Sequence, residues 1–364
     1  FFHLEGQGLE GGQLLCDRSE LSTGFLPIGV FHKLCAGVLG CSYRTASGME
    51  PTLERPSSVK GYICAPRRQR PNHAHLNVTE RVDRKDFPAW LRENESQVQF
   101  LFHLGARTDT TEQDEVLLNA LNLQYTKDIW NLCVESGLPL IYASSAATYG
   151  DGSKGYVDSH EVVGDLQPLN PYGRSKNDFD AWALAQERKP YFWAGFKFFN
   201  VYGPNEFHKG RMASVVLHTF RQVEATGGMK LFRSHRPDFA NGHQTRDFVH
   251  VEDVCSVLLH FMHHRIPAHS GLYNLGSGQG RTFLDLVRAT FNAMGRTPEI
   301  SFIDTPEDIR DTYQYFTEAD LTKLRNHGCD VMFRSLESGI DDYVKNHLTT
   351  GQRRAPQAAA AEPS

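Results

Sequence analysis

The feature that most constrains this chain is a short apolar run, Leu138 to Ala143, that ends in the adjacent serines Ser144 and Ser145. A run of this length suits a strand buried on both faces of a parallel sheet. The serines then lie at its carboxyl end, where open α/β sheets bind ligands. After an irregular link come Tyr172 and Lys176, four residues apart, which share one face if the segment is helical. An ammonium beside a phenol favours the phenolate and brings a group of ordinary pKa ~10 closer to neutrality. A serine hydroxyl can complete such a site by hydrogen-bonding the oxygen whose proton moves. Taken alone, Tyr-x-x-x-Lys also describes an exposed amphipathic pair. Behind a strand ending in Ser-Ser it becomes a candidate proton relay.

The surrounding segments read as alternating strands and helices. Residues 97–105 (QVQFLFHLG) form a strand entering a glycine turn, and 117–137 an amphipathic helix stopped by glycine. With the strand at 138–145 they make a βαβ unit, which implies the right-handed crossover of a parallel sheet. Residues 171–186 are the next helix and 194–202 the next strand. Residues 82–91 have helical spacing, with Phe87, Trp90 and Leu91 on one face. Further helices are expected over 212–225, 251–264, 283–294, 316–326 and 335–347, and strands over 230–233, 271–275 and 300–303. The fold class is therefore α/β: a doubly wound parallel sheet, Rossmann-like, with a smaller mixed α/β domain.

At 364 residues the chain can bury a sizeable core. Its 38 Lys+Arg against 43 Asp+Glu leave a net charge of −5, so no basic field favours nucleic acid or an anionic membrane. The largest basic cluster, Arg67 to Arg70, is too short to argue otherwise. No apolar run approaches the ~20 residues of a membrane span, and no orthodox signal peptide is seen. Seven cysteines, odd in number and without a CxxC pair, suit free thiols in a reducing compartment, so a cytoplasmic location is expected. The 17 histidines show no HExxH or other tight ligand cluster, and no metal is expected.

Other segments carry candidate chemistry. His103-Leu104-Gly105-Ala106 closes a strand, and small residues with free backbone N–H groups there can pass close to a dinucleotide; an ordinary βα turn is the alternative. Asn200, at the end of a strand, offers both donor and acceptors to a sugar or ribose, or is simply a turn asparagine. Lys209 and Arg211 precede a helix whose start favours phosphate oxygens, although a lone lysine there also reads as solvated surface. Arg246 suits bidentate phosphate contact, or pairs structurally with Asp247.

Taken together, several runs resemble the extended short-chain dehydrogenase/reductases, and within them the ADP-L-glycero-D-manno-heptose 6-epimerase family. They are LFHLGARTDTTE (101–112), LIYASSAATYG (140–150), PYGRSK (171–176), FKFFNVYGPNEFHKGRMASVV (196–216), KLFRSH (230–235), TRDFVHVEDV (245–254), YNLGSG (273–278) and YQYFTEADLTKLR (313–325). HKGRMAS and YASSAATYG are the specific ones; YxxxK and NVYGP belong to the wider superfamily. Ala146-Ala147 stand where dehydratases of the superfamily carry Asp-Glu, which argues against dehydration. The resemblance implies transient oxidation and re-reduction of C6 of an ADP-heptose with NADP (or NAD), in a cytoplasmic homo-oligomer that supplies a lipopolysaccharide-core precursor. It implies Tyr172, activated by Lys176, and Lys209 as the two acid/base groups, with Ser145 on the reacting oxygen. It further implies Leu104, Gly105, Ala106, Arg107, Thr108, Asn122, Lys176, Val201 and Lys209 for the cofactor. Ser145, Asn200, Arg211, His218, Phe232, Arg233, Ser234, His235, Arg246 and Tyr313 are implied for the substrate. Lys197 stands where many relatives have arginine, with little consequence expected. Residues 71–204 then carry the dinucleotide-binding core, 205–348 mainly the substrate domain with part returning to the sheet, and 349–364 a low-complexity tail expected to be disordered.

Residues 1–70 depart from this pattern. They show neither helical nor strand periodicity. Gly6-Gln7-Gly8-Leu9-Glu10-Gly11 fits GxGxxG formally but lacks the strand, helix and acidic residue that give the motif its meaning. Gly37-Val38-Leu39-Gly40 is a fragment of GxxGxxG with Tyr43 in place of the third glycine. A shifted reading frame in the underlying gene would account for an altered first βαβ unit. Read as it stands, the segment lacks the pyrophosphate-binding loop, and little or no cofactor binding is expected. The rival expectations are another sugar-nucleotide epimerase, or a cofactor-less, binding-only relative.

Overall fold

The computed structural model describes residues 80–310 and 312–350, together with two strands before them. Those two are β1 (Gln13–Asp17) and β2 (Gly61–Cys64). They are followed by β3 (Glu80–Val82), β4 (Val98–His103), β5 (Leu140–Ser145), β6 (Trp193–Phe198), β7 (Asn200–Tyr202) and β8 (Met229–Phe232). The last four are β9 (Thr245–His250), β10 (Gly271–Leu275), β11 (Gly280–Thr282) and β12 (Ile300–Ile303). The glycine runs 6–11 and 37–40, the basic cluster 67–70 and the tail beyond residue 350 lie outside the described residues.

The main sheet has seven strands in the order β10-β6-β5-β4-β1-β2-β3. Neighbours among β10, β6, β5 and β4 run parallel, as expected of a doubly wound sheet. The strand beside β4 does not: β1 is antiparallel to both β4 and β2. Both β1 and β2 come from the segment in which no strand was expected. Each is too short for a period-2 pattern to be read, and pairing with distant strands decides it.

Strand alternation divides the core between the two faces. Phe100, Phe102, Ile141, Ala194 and Phe196 pack with α5 (Val251–His263). Leu101, Leu140, Tyr142 and Trp193 pack on the other face against α1 (Phe87–Asn94), α2 (Tyr125–Glu135) and α3 (Pro171–Ala185). A separate core joins α4 (Val215–Thr226), α6 (Phe283–Ala293) and α8 (Leu336–Tyr343) to β8 and β9.

Four expected elements are redrawn. The helix expected from residue 82 begins only at Phe87, and Val82 instead ends β3. The helix expected over 117–137 is one α-turn, a π-helical stretch Asn119–Gln124, and then α2. The strand expected over 194–202 breaks at Phe199: β6 stays in the main sheet while β7 pairs with β9. Of the helix expected over 316–326, only α7 (Thr322–Asn326) forms, because the N–H groups of Thr317 and Ala319 are taken by the Thr245 carbonyl and the Asp247 carboxylate.

Candidate functional site

The carboxyl ends of β4, β5 and β6 open into one cleft of about 500 Å³, closed on the far side by β8, β9 and the turn Glu206–Met212. The first wall is β5 and α3. Asn170 caps α3 by accepting the Gly173 N–H at 2.8 Å, and Pro171 occupies the first turn, where a missing N–H costs nothing. A Cβ at position 173 would lie 2.8 Å from the Ala147 carbonyl oxygen. Glycine there lets the start of α3 press against the 146–149 turn and brings Tyr172 to Ser145.

Tyr172 and Lys176 are both buried. Burial raises the Tyr172 pKa, and the hydrogen bond with Ser145 opposes it. The Lys176 ammonium, expected to favour the phenolate, donates to the Ala143 carbonyl at 2.7 Å. Burial brings Lys176 down to about 8, against the pull of Asp180. Burial and the Lys176 charge hold His103, bonded to Thr126 Oγ1, at about 3.

The second wall is the turn that carries Lys209 and Arg211. The buried Glu206 carboxylate accepts from Ser214 N at 2.6 Å and Ser214 Oγ at 2.5 Å, tying the turn to the cap of α4. Gly210 has φ +53°, a conformation that costs other residues strain. Lys209 is half-buried and lines the cleft. Arg211 also lines it, yet its guanidinium is paired with Asp109 at 2.5 Å and bonded to Thr111, linking this turn to the loop after β4.

That loop is held from behind by Asn122. Its amide accepts from Arg107 N at 2.8 Å and donates to Arg107 O at 3.0 Å and Ser175 Oγ at 3.1 Å. Asn122 lies in the π-helical stretch, a distortion common at functional sites. Leu104, Ala106, Thr108, Lys176 and Val201 line the same end of the cleft, whereas Gly105, Arg107 and Asn122 stand behind it. Small side chains, backbone groups and one buried ammonium at this end of the cleft suit the close approach of a dinucleotide.

Of the other expected residues, Asn200, His218, Phe232, Arg246 and Tyr313 line the cleft. Arg233, Ser234 and His235 do not: Arg233 pairs with Asp304, and Ser234 and His235 bond to the Tyr315 hydroxyl. Arg246 does not pair with Asp247, since neighbouring strand residues face opposite ways. Its guanidinium lies between the rings of Phe283 and Tyr313, donating to the carbonyls of Thr245 and Gln314. Asp247 instead accepts from the N–H groups of Ser277, Gly278 and Ala319.

Lys197, where many relatives were expected to have arginine, is wholly buried and paired with Asp180 at 2.7 Å beneath the serines, a pairing open to either cation. Helical spacing puts Asp180 on the face of Tyr172 and Lys176. Nothing in the sequence names its partner. Among the described residues, no His/Cys/Asp/Glu group is placed to hold a metal, and no helix is long and apolar enough to cross a membrane.

A mostly parallel sheet with a serine at the end of β5, faced by a tyrosine and a lysine on the following helix, is the arrangement of a Rossmann-like α/β enzyme fold. The profile of the NAD dependent epimerase/dehydratase family matches residues 32–276, and the chain belongs to that family. Part of the segment expected to be anomalous therefore falls inside the match. An ADP-L-glycero-D-manno-heptose-6-epimerase of Fusobacterium nucleatum is 44% identical over 288 residues, covering 75% of this chain and 86% of its own. The enzyme of that name from Nitratidesulfovibrio vulgaris is 47% identical over 251 residues, covering 69% and 77%. In structure, the chain resembles the Helicobacter pylori ADP-L-glycero-D-manno-heptose-6-epimerase with a TM-score of 0.61 at 30% identity, covering 76% of this chain and 81% of that one. It also shares its fold with a UDP-N-acetylglucosamine 4-epimerase of Methanobrevibacter ruminantium, TM-score 0.66 at 17% identity, over 77% and 87% of the two chains.

Proposed function

We propose that this chain interconverts ADP-D-glycero-D-manno-heptose and ADP-L-glycero-D-manno-heptose by inverting C6, with NADP as the resident dinucleotide. The observation that carries the reading is a single cleft with Tyr172 and Ser145 on one wall and Lys209 on the other. Inverting a secondary alcohol requires that one carbon be approached from both faces, so groups able to hold a proton must stand on both sides of it.

When bound, the nicotinamide supplies the reversible oxidation and re-reduction of that carbon. Tyr172 takes and returns the proton of the C6 oxygen in one orientation of the sugar, and Lys209 does so in the other. Ser145 orients that oxygen by a hydrogen bond. Lys176 and Val201, with the loop 104–108 braced by Asn122, hold the dinucleotide. Asn200 and His218 face the sugar, and Arg246, placed against the rings of Phe283 and Tyr313, offers its remaining N–H groups to the diphosphate. NADP over NAD, and assembly as a cytoplasmic homo-oligomer, rest on the sequence resemblance.

The test is incubation of the NADP-loaded chain with ADP-D-glycero-D-manno-heptose, following the C6 configuration by NMR. A mixture of both C6 epimers with no net consumption of cofactor is expected. A chain that retains its dinucleotide yet leaves C6 unchanged would refute the reading.

A further inference from the structure

The ion pair beneath the serines joins α3, β5 and β6, the three elements behind the site. Asp180 and Lys197 are 0% and 1% exposed at their side chains. Burying two charges is costly unless every lone pair and proton is used, and here the partners are dense. Asp180 accepts from Lys197 at 2.7 Å, Ser144 Oγ at 2.6 Å and Tyr142 Oη at 2.9 Å. Lys197 also donates to Thr148 Oγ1 at 2.8 Å and stands 5.2 Å from the centre of the Tyr149 ring.

The placement is specific. Tyr172, Lys176 and Asp180 recur every four residues along one face of α3. Asp180 binds Tyr142 and Ser144 of β5, and Lys176 binds the Ala143 carbonyl between them. Three consecutive residues of the strand are thus pinned to the helix, which fixes Ser145 against Tyr172. Lys197 is the β6 partner of Ser144 in the sheet register.

We propose that Asp180 and Lys197 are positioning residues of the active site: Lys197 holds the Asp180 carboxylate in place, and that carboxylate, one turn along the helix face from Lys176 and bonded to the strand residues on either side of Ala143, supports the Lys176 ammonium in a desolvated pocket. Asp180 is the one group found to oppose the effect of burial on Lys176, whose pKa of about 8 lies close to neutrality. The other titratable groups facing this cluster stay in one form near neutral pH. On β4, His103 is held at about 3 by burial and by Lys176. His160, beside the cluster, is held at about 4 by burial and by Lys323. Tyr142 and Tyr149 are raised well above the ordinary phenol value by burial and then by neighbouring aspartates, and burial raises Tyr172 as well. A neutral Asp180 disfavours the charged lysine, so the Lys176 titration must move to lower pH.

The inference deepens the proposed epimerase reading, but its first test uses the full chain without substrate or dinucleotide and so stands apart from it. Lysine Cε resonances are titrated by NMR in 13C-lysine-labelled protein, with Lys176 assigned by the signal lost in Lys176→Arg. Asp180→Asn is combined with Lys197→Met, and separately with Lys197→Gln, so that no buried charge is stranded. In either neutral pair the Lys176 midpoint is expected to fall by roughly one unit, while Lys197→Arg alone keeps the wild-type midpoint. In active enzyme, the basic limb of kcat/KM should move by the same amount. An unchanged midpoint in a neutral pair that melts at the wild-type temperature would overturn the proposal. Failure of both neutral pairs to fold would also overturn it, by assigning the ion pair to stability alone.

Discussion

Tyr172 and Lys209 face one cleft from walls made in different ways. Tyr172 is carried on the first turn of a fifteen-residue helix, is buried, and is braced by a strand whose residues 142 to 144 are each bonded to that helix. Lys209 is half-buried on a short turn with a left-handed residue at Asn205 and a left-handed glycine at Gly210, anchored mainly through Glu206. One of the two proposed acid/base groups is therefore fixed by packing, whereas the other is fixed by a carboxylate and two backbone conformations. A wall of the first kind resists movement because displacing it breaks a core; one of the second kind can adjust at small cost. For a reaction that needs both faces of one carbon, the contrast suits a fixed tyrosine and a lysine that follows the turning sugar.

The largest expected effect tests the chemistry of the two walls. Tyr172→Phe should lower epimerisation by about 10²–10⁴-fold with dinucleotide affinity retained, as read by steady-state kinetics and a binding titration. Lys209→Met should cost about 10²-fold but leave the melting temperature unchanged, because its side chain braces nothing in the described structure. Full activity in that variant would return Lys209 to the surface and break the comparison.

Smaller effects test the construction of the walls. Gly173→Ala places a Cβ 2.8 Å from the Ala147 carbonyl and 3.0 Å from Pro168 Cβ. It should destabilise by about 1–3 kcal/mol in denaturant unfolding and reduce turnover by shifting Tyr172. Glu206→Gln leaves the cap of α4 with weaker partners and should cost about 1–2 kcal/mol, lowering turnover more than dinucleotide affinity. Gly210→Ala meets no atom within 4 Å, so only its positive φ counts, at about 1 kcal/mol. If Gly210→Ala proved more damaging than Gly173→Ala, the Lys209 turn would be the stiffer wall.

Much of the first wall is legible in the amino-acid sequence. The apolar run ending in two serines, and a tyrosine and lysine four residues apart, are local patterns whose geometry follows from strand and helix periods. The order of βαβ elements follows for the same reason. In the second wall Lys209 and Arg211 are legible as candidates ahead of a helix, but their geometry is not, because the shape of a turn depends on what anchors its ends, and Glu206 finds Ser214 only once the turn closes. At the front of the chain the outcome is different again. Glycine patterns are visible there, but no element can be drawn from them, and the two strands found there take their place from pairing with β4 and β3.

The sequence by itself determined which residues share the tyrosine face of α3: positions 172, 176 and 180 follow from 3.6 residues per turn whatever the chain does elsewhere. It also determined that a strand would deliver Ser144 and Ser145 to opposite faces. Only the tertiary structure decided what those faces meet. Asp180 is 17 residues from Lys197 and 36 from Ser144, and Arg211 is 102 residues from Asp109. It also released Arg246 from its neighbour Asp247. Such pairs are selected by the desolvation that packing imposes, which makes an unpartnered charge untenable, and no local period records which distant residue will be there to meet it.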